Sequence, residues 1–211
     1  MNVLKGLTQD LTGSADICTT VTDFSKLLVW PYVLPGEDVL FAFQSPKEEF
    51  VFTNEALICV EGANATTTRK MIKRYEYRDE MITDVCFETT GRIDRDCEIK
   101  FKIGSEKISI DIARKEEERV KLYYKTLVAL AREQEQRRRS WKFERDSLDT
   151  SATATKLSKL LAISGKSSPD AADPSLLTKQ ASEVYRWLET DHERINPRCF
   201  KAVIQKGLQS A

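Results

Sequence analysis

Two aspartates near the middle of the chain have the residue type and spacing of a metal-binding loop. Asp94 and Asp96 follow Gly91, and clustered carboxylate oxygens are the ligands that hard cations prefer. Arg92 and Arg95 interrupt the pair, and cationic side chains there would repel a metal ion. We therefore interpret the segment as a charged hairpin turn, in which the aspartates bond backbone amides or the arginines, and predict no bound metal.

The single histidine does not supply a catalytic or zinc-binding site. His192 lies in a charged run at the end of a helix pattern, whereas a zinc site or an acid–base pair needs a second member. No nucleophile, base and orienting group can be assembled from one histidine without a recognisable elbow or metal motif. We predict that the protein is not an enzyme and carries no cofactor.

Two basic clusters are candidate anion-binding sites, one in a strand pattern and one in a helix pattern. The first cluster comprises Arg69, Lys70, Lys73 and Arg74, and the second comprises Arg137, Arg138 and Arg139. Such clusters can contact nucleic acid or an anionic membrane. For the first cluster, a solvated strand face is the favoured interpretation. Glu133 and Glu135 help to neutralise the second, so packing against a neighbouring subunit is favoured over a nucleic-acid site.

Composition limits the partners and the compartment. The chain has 33 basic and 33 acidic residues, so no global field attracts nucleic acid or membrane. Its five cysteines lack CxxC spacing, which favours a reducing environment. The first residues lack a signal core, and no apolar run is long enough to span a bilayer. We expect a soluble, cytoplasmic protein.

Alternation of apolar and polar residues predicts an antiparallel meander. The predicted strands are 39–43, 50–53, 56–60, 68–77, 81–90, 97–103 and 108–112. Short turns separate these strands, and no helix pattern intervenes. This order favours a barrel or sandwich over a parallel sheet.

Helical spacing flanks the strands on both sides. Residues 3–30 read as two helical pieces with a break near Gly13. From Arg114 the apolar period becomes about three and a half, which predicts a helix that closes the sheet. A returning helix at 175–190 and a short one at 200–204 complete a helical hairpin. We predict two domains, 1–133 with the strands and 134–211 with the hairpin.

Three segments of the strand region resemble the bacterial pleckstrin-homology-like domain family: 50–58, 69–77 and 88–101. The tail from Gln134, including 184–188 and 191–193, resembles the YvbH-like oligomerisation region that accompanies this domain in some members. The resemblance implies an α+β fold, in which a pleckstrin-homology-like antiparallel β-barrel or sandwich is closed by a C-terminal helix and followed by a helical hairpin. It also implies homo-oligomeric rings and no established catalytic activity.

Eukaryotic lipid-binding domains of this fold use basic residues in the loop between the first two strands to hold phosphates. The corresponding loop here, 44–49, has one lysine beside two glutamates. We predict that it is a poor phosphate cradle.

The favoured function is a noncatalytic interaction module that forms a closed, symmetric homo-oligomer through strand edges and the C-terminal hairpin. The candidate interface residues are Trp141, Phe143, Leu157, Leu160, Tyr185, Trp187 and Leu188. The protein itself is therefore the expected partner, with another protein as a further option. The alternative function is a peripheral adaptor that binds anionic lipid or nucleic acid through the basic clusters.

Overall fold

The structure is a computed structural model that describes residues 15–62, 69–89, 91, 96–154 and 174–209, without the side chains of 148–154, 174–181 and 184. The chain divides into two compact units. The first comprises Met1–Gln134 together with Arg198–Ala211, and the second comprises Glu135–Pro197. This differs from the sequence-based division at 133/134, because the last residues return to the first unit.

Five strands form one antiparallel sheet with the order β1-β2-β3-β4-β5. Their bounds are Thr19–Thr20 for β1, Val39–Gln44 for β2, Glu48–Thr53 for β3, Ala56–Gly62 for β4 and Lys70–Glu76 for β5. Each strand pairs with its neighbour in sequence. Short turns permit this arrangement, since antiparallel neighbours need only a tight connection.

A second antiparallel sheet contains three strands in the order β6-β7-β8. These are β6 at Ile82–Glu88, β7 at Asp96–Ile103 and β8 at Glu106–Ala113. Cys18, just before β1, forms a parallel bridge with Ile112 of β8, which connects the two sheets on one side. The seven predicted strands correspond to β2–β8, so the predicted meander is confirmed.

The main core lies between the two sheets. Alternate residues of β7 and β8 are buried, which matches the period of two in their sequence. They meet apolar side chains from β2, β3 and β4, and Phe41 stacks on Phe52 with ring centroids 4.2 Å apart. We call this the central cluster; its members include Phe43, Phe52, Leu57, Cys59, Tyr77, Ile99 and Ile110.

A smaller cluster covers the opposite face of the five-stranded sheet. This outer cluster consists of Leu27, Val29, Ala42, Val51, Ile58 and Val60. It explains why β3 and β4 are buried on both faces and read as continuous apolar runs rather than as alternating ones.

The prediction of a helix up to Trp30 is wrong for the described part. After β1, the chain forms only two short 3₁₀ turns, Phe24–Lys26 and Trp30–Tyr32. Thr19 and Thr20 pair with β2 instead, as their β-branched side chains favour. Leu27 and Val29 are buried, in a segment of turns rather than a continuous helix. The first predicted helical piece lies outside the described residues.

A long helix, α1, extends over Glu117–Ala154 after a 3₁₀ turn at Arg114–Glu116. Val120, Leu127 and Leu130 are buried in the central cluster, so the prediction that this helix closes the sheets is confirmed. Gln134 is the last buried residue in the described part of α1. Its Oε1 accepts a hydrogen bond from Ile82 N at 2.9 Å, and its Nε2 donates to Tyr77 O at 2.6 Å.

Two further helices follow, α2 at Pro174–Ile195 and α3 at Lys201–Gln209. Phe200 and Ile204 are buried in the central cluster. Phe200 N donates to Asn54 O at 2.7 Å, and Lys201 Nζ lies 2.7 Å from Asp38. These contacts hold the C-terminal segment against the turn between β3 and β4.

Candidate interaction surfaces

Strand β5 forms one edge of the five-stranded sheet, because its described partner is β4 alone. Seven consecutive residues pair with β4 without a register shift. Ile72 packs on the outer cluster and Tyr75 packs on the central cluster. The two faces of β5 are therefore both anchored, while one side of its backbone points away from the sheet.

The first basic cluster is divided between the two faces of β5. Arg74 lies opposite Ile58, on the side of the outer cluster, whereas Lys73 lies opposite Cys59, on the side of the central cluster. Lys70 shares the face of Arg74, since side chains alternate along a strand, and Arg69 precedes the strand. The structure thus does not bring these four cations together on one face.

Carboxylates engage two of these cations. Arg74 donates to Glu37 through both terminal guanidinium nitrogens at 2.9 and 3.0 Å, and its Nε donates to Glu76 at 2.6 Å. The Glu37 side chain is only 1% exposed. Burial alone would raise the pKa of Glu37, but hydrogen bonds from Arg74 and Thr53 outweigh burial and lower it. Lys73 lies 3.3 Å from Glu61.

Strand β6 forms one edge of the three-stranded sheet but is irregular. Its register with β7 shifts between Thr83 and Cys86, and Asp84 has a φ of 53°, in the left-handed region that few non-glycine residues adopt. Lys102 holds Asp84 at 2.6 Å. A bulge of this kind disrupts an edge and hinders the addition of a strand.

The second basic cluster lies on α1 and is tied to neighbouring groups. Arg138 and Arg139 contact Glu135 at 2.9 and 2.6 Å, and the hydrogen bonds from Arg139 and Arg138 lower the pKa of that carboxyl. Arg137 donates to the carbonyl of Pro197 at 3.0 Å. These contacts reduce the field that the arginines present to an external anion.

The predicted interface residues occupy different environments within the second unit. Phe143 is 72% exposed, and Tyr185 and Trp187 are also exposed, whereas Leu188 is half-buried. Trp141 packs against the ring of His192 with centroids 4.7 Å apart. Leu157 and Leu160 lie outside the described residues. Three aromatic side chains of α1 and α2 are thus available for contact with another molecule.

The cavity beside the turn between β2 and β3 is mixed in charge. It measures about 570 Å³, and its lining includes Lys26, Lys47, Lys70, Glu48 and Glu49. The carboxylate of Glu49 accepts hydrogen bonds from Leu28 N, Val29 N and Gln44 Nε2, and Lys47 lies 2.9 Å from Asp16. These internal contacts agree with the expectation that this loop is a poor phosphate cradle.

The environment of the core thiols disfavours the thiolate, which is their reactive form. Cys18, Cys59 and Cys97 are buried, and burial raises the pKa of all three, to about 12 for Cys18 and about 11 for Cys97. Among the described residues, no group of histidine, cysteine, aspartate and glutamate side chains could hold a metal ion. Asp94, Arg92 and Arg95 of the acidic turn lie outside these residues.

One exposed apolar segment is missing from the predicted sites. Leu28, Trp30, Tyr32 and Leu34 are all exposed in the loop before β2, where the sequence predicted the end of a helix. The sequence does contain a signal for this exposed apolar segment, because the ten residues 27–36 include no charged side chain.

Comparison with known proteins identifies the family. Residues 7–131, more than half of the chain, match the family described as "Bacterial PH domain". The chain belongs to this family. This bacterial PH domain protein is 31% identical to "Uncharacterized protein YvbH" of Bacillus subtilis (strain 168), over 99% of this chain and all of that protein. The predicted resemblance is confirmed, and neither name indicates a catalytic family.

A solved structure shares the architecture. The PH-domain-containing bacterial protein of Exiguobacterium sibiricum 255-15 superimposes with a TM-score of 0.78 and 31% identity, over 92% of this chain and all of that one. The α+β fold predicted for the bacterial PH domain protein is confirmed. No described helix is both long enough and apolar enough to cross a membrane.

Proposed function

We propose that this bacterial PH domain protein is a noncatalytic module that assembles with copies of itself into a closed, symmetric oligomer. The outer edge of β5, which pairs with no other described strand, is the observation that carries the proposal. It offers a regular row of backbone donors and acceptors, and a strand from another molecule would satisfy them. The bulge of β6 makes that second edge a weaker candidate.

The sequence of β5 supports pairing with itself. In an antiparallel pair of two copies centred on Lys73, Lys70 lies opposite Glu76, and Met71 lies opposite Tyr75. Opposite charges and apolar pairs across strands both stabilise a sheet. The two Lys73 side chains would face each other, but each already contacts Glu61 of its own chain. Such a pair is isologous and closes on itself.

The second unit contributes a further self-contact in this proposal. Phe143, Tyr185 and Trp187 are exposed aromatic residues on α1 and α2, and aromatic side chains are frequent anchors of protein interfaces. Two separate contact regions on one chain allow larger closed assemblies than a dimer.

Light scattering on the full chain tests this function. Met71 is exposed on β5, and Met71→Lys would replace the apolar pair with Tyr75 by a charge on the edge. We expect self-association to weaken about tenfold, because two such pairs form in each antiparallel contact. Thr83→Lys is the matched control, since it adds the same charge to an exposed position of β6. A monomeric full chain at high micromolar concentration, or equal effects of both variants, would contradict the proposal.

Binding of anionic lipid or nucleic acid through the basic clusters remains the alternative. The contacts of Arg74, Lys73, Arg138 and Arg139 with carboxylates weaken it. Its signature would be binding that falls steeply with salt.

A further inference from the structure

The loop before β2 presents an unusual concentration of apolar surface. Among the described residues, eight large hydrophobic side chains are exposed, and four of them lie within the seven residues 28–34. Leu28, Trp30, Tyr32 and Leu34 have exposed fractions of 47–58%. Exposed apolar surface concentrated in one segment is often functional.

The fold holds this loop in place. Leu27 and Val29 are buried in the outer cluster, so the backbone is anchored on either side of Leu28. The buried carboxylate of Glu49 accepts hydrogen bonds from Leu28 N at 2.9 Å and Val29 N at 3.2 Å. Backbone hydrogen bonds from Trp30 N to Leu27 O and from Tyr32 N to Val29 O form consecutive turns. The exposed side chains therefore project from a backbone that buried neighbours and hydrogen bonds hold in place.

The chemistry of the loop suits a lipid interface. Residues 27–36 are uncharged, and Trp and Tyr combine an apolar ring with a polar tip, which places them at the boundary between headgroups and hydrocarbon. The exposed area of the four side chains is roughly 400 Å². A stable protein interface buries about 800 Å² on each partner, so this patch alone is too small for a second copy of the chain.

We propose that the loop 28–34 is a membrane-docking loop, which inserts Leu28, Trp30, Tyr32 and Leu34 into the interfacial layer of a bilayer. The loop adjoins β5, because Glu37 beside it contacts Arg74, but docking to lipid goes beyond the proposed self-assembly. Docking of this kind depends on buried apolar area. It therefore takes place on zwitterionic phosphatidylcholine and changes little with salt, unlike attraction through the basic clusters.

Tryptophan fluorescence tests the insertion directly. The chain has three tryptophans, and Trp141→Phe together with Trp187→Phe leaves Trp30 as the reporter. With phosphatidylcholine vesicles, we expect the emission of Trp30 to shift to shorter wavelength and to be quenched by lipids brominated on the acyl chains. An emission spectrum unchanged by vesicles at both low and high salt would overturn the proposal.

Vesicle flotation with matched variants of the full chain tests whether the apolar rings of the loop are responsible for docking. Trp30→Ser with Tyr32→Ser should lower the vesicle-bound fraction at least about tenfold, because two large apolar contacts are lost. Trp30→Phe with Tyr32→Phe keeps an aromatic ring at both positions and should retain most of the binding. Circular dichroism confirms that each variant is folded.

The other possible occupant is a second copy of the chain, and the same variants decide. If Trp30→Ser with Tyr32→Ser lowers the molecular mass in light scattering without vesicles, the loop is a self-association surface and the proposal fails. Equal loss of flotation in both double variants would also overturn it.

Discussion

Arg74 and Glu37 connect the edge strand β5 to the loop before β2. Their side chains are 23% and 1% exposed, and the guanidinium contacts both carboxylate oxygens. We expect Arg74→Gln to lower the free energy of unfolding by about 3 kcal/mol near neutral pH, because it leaves a buried carboxylate without its cation. Urea denaturation measures this change.

Acid should reduce the effect of Arg74→Gln. The pKa of Glu37 is lowered in the folded protein, so its stabilising contribution is present above the unfolded value, near 4.3, and is lost as the pH falls through the folded value. The difference between wild type and Arg74→Gln should therefore shrink in acid. Lys102→Gln, at an exposed ion pair with Asp84, should have little effect at any pH. A difference for Arg74→Gln that stays constant from near pH 7 to near pH 3 would show that the charge of Glu37 is not involved.

At the scale of the element, α3 packs closely against α1 through a glycine. A Cβ atom at Gly207 would lie 2.7 Å from Thr126 Oγ1 and 2.9 Å from Thr126 Cα. Gly→Ala in a helix usually stabilises by about 1 kcal/mol, but the clash with a backbone atom forces the helices apart, which costs about 1–3 kcal/mol. We expect Gly207→Ala to lower the melting temperature. Gln205→Ala, on the exposed side of α3, should maintain it or raise it slightly; a stabilised Gly207→Ala would mean that α3 is not packed on Thr126.

The strands were predictable from sequence because their signal is local. In β7 and β8, the burial alternates residue by residue as the apolar pattern does. The N-terminal segment was not predictable in this way. Its apolar residues also fit a helical spacing, and the competing structure depends on partners distant in sequence, such as Gln44 for Thr19 and Ile112 for Cys18.

The candidate surfaces were predictable only in part, because they also depend on contacts between residues distant in sequence. A strand period of two indicates that Lys73 and Arg74 lie on opposite faces, although four nearby cations look like one stripe in the sequence. Their acidic partners, Glu61 and Glu37, come from other elements, and neither pairing has a local signal. Trp30 and Tyr32 are exposed while Leu27 and Val29 of the same segment are buried, an arrangement that a helical interpretation of the segment hides.

On the scale of the whole molecule, the second unit is an insertion between two parts of one core. The chain leaves the first unit after Gln134 and re-enters it at Arg198, where Phe200 and Ile204 complete the central cluster. The strand region is therefore not a self-sufficient N-terminal half. Any experiment that removes the tail to test self-assembly also removes buried side chains from the core.

Truncation after Gln134 should consequently destabilise the strands themselves. Burial of a large side chain contributes about 2–5 kcal/mol, so the loss of Phe200 and Ile204 is comparable with the 5–15 kcal/mol that holds a typical domain together. We expect the truncated chain to melt at a much lower temperature, as followed by circular dichroism. A synthetic peptide of residues 198–211, added in excess, should raise that temperature again, because it binds the folded form.

A variant peptide tests whether the rescue depends on the core contacts. The same peptide with Phe200→Ala and Ile204→Ala keeps Lys201, which contacts Asp38 on the surface, but lacks both buried side chains. It should fail to raise the melting temperature, since an exposed ion pair stabilises by at most about 1 kcal/mol. Equal rescue by both peptides would show that the surface contact fixes the C-terminal segment. An unchanged melting temperature after truncation would show that the first unit folds without it.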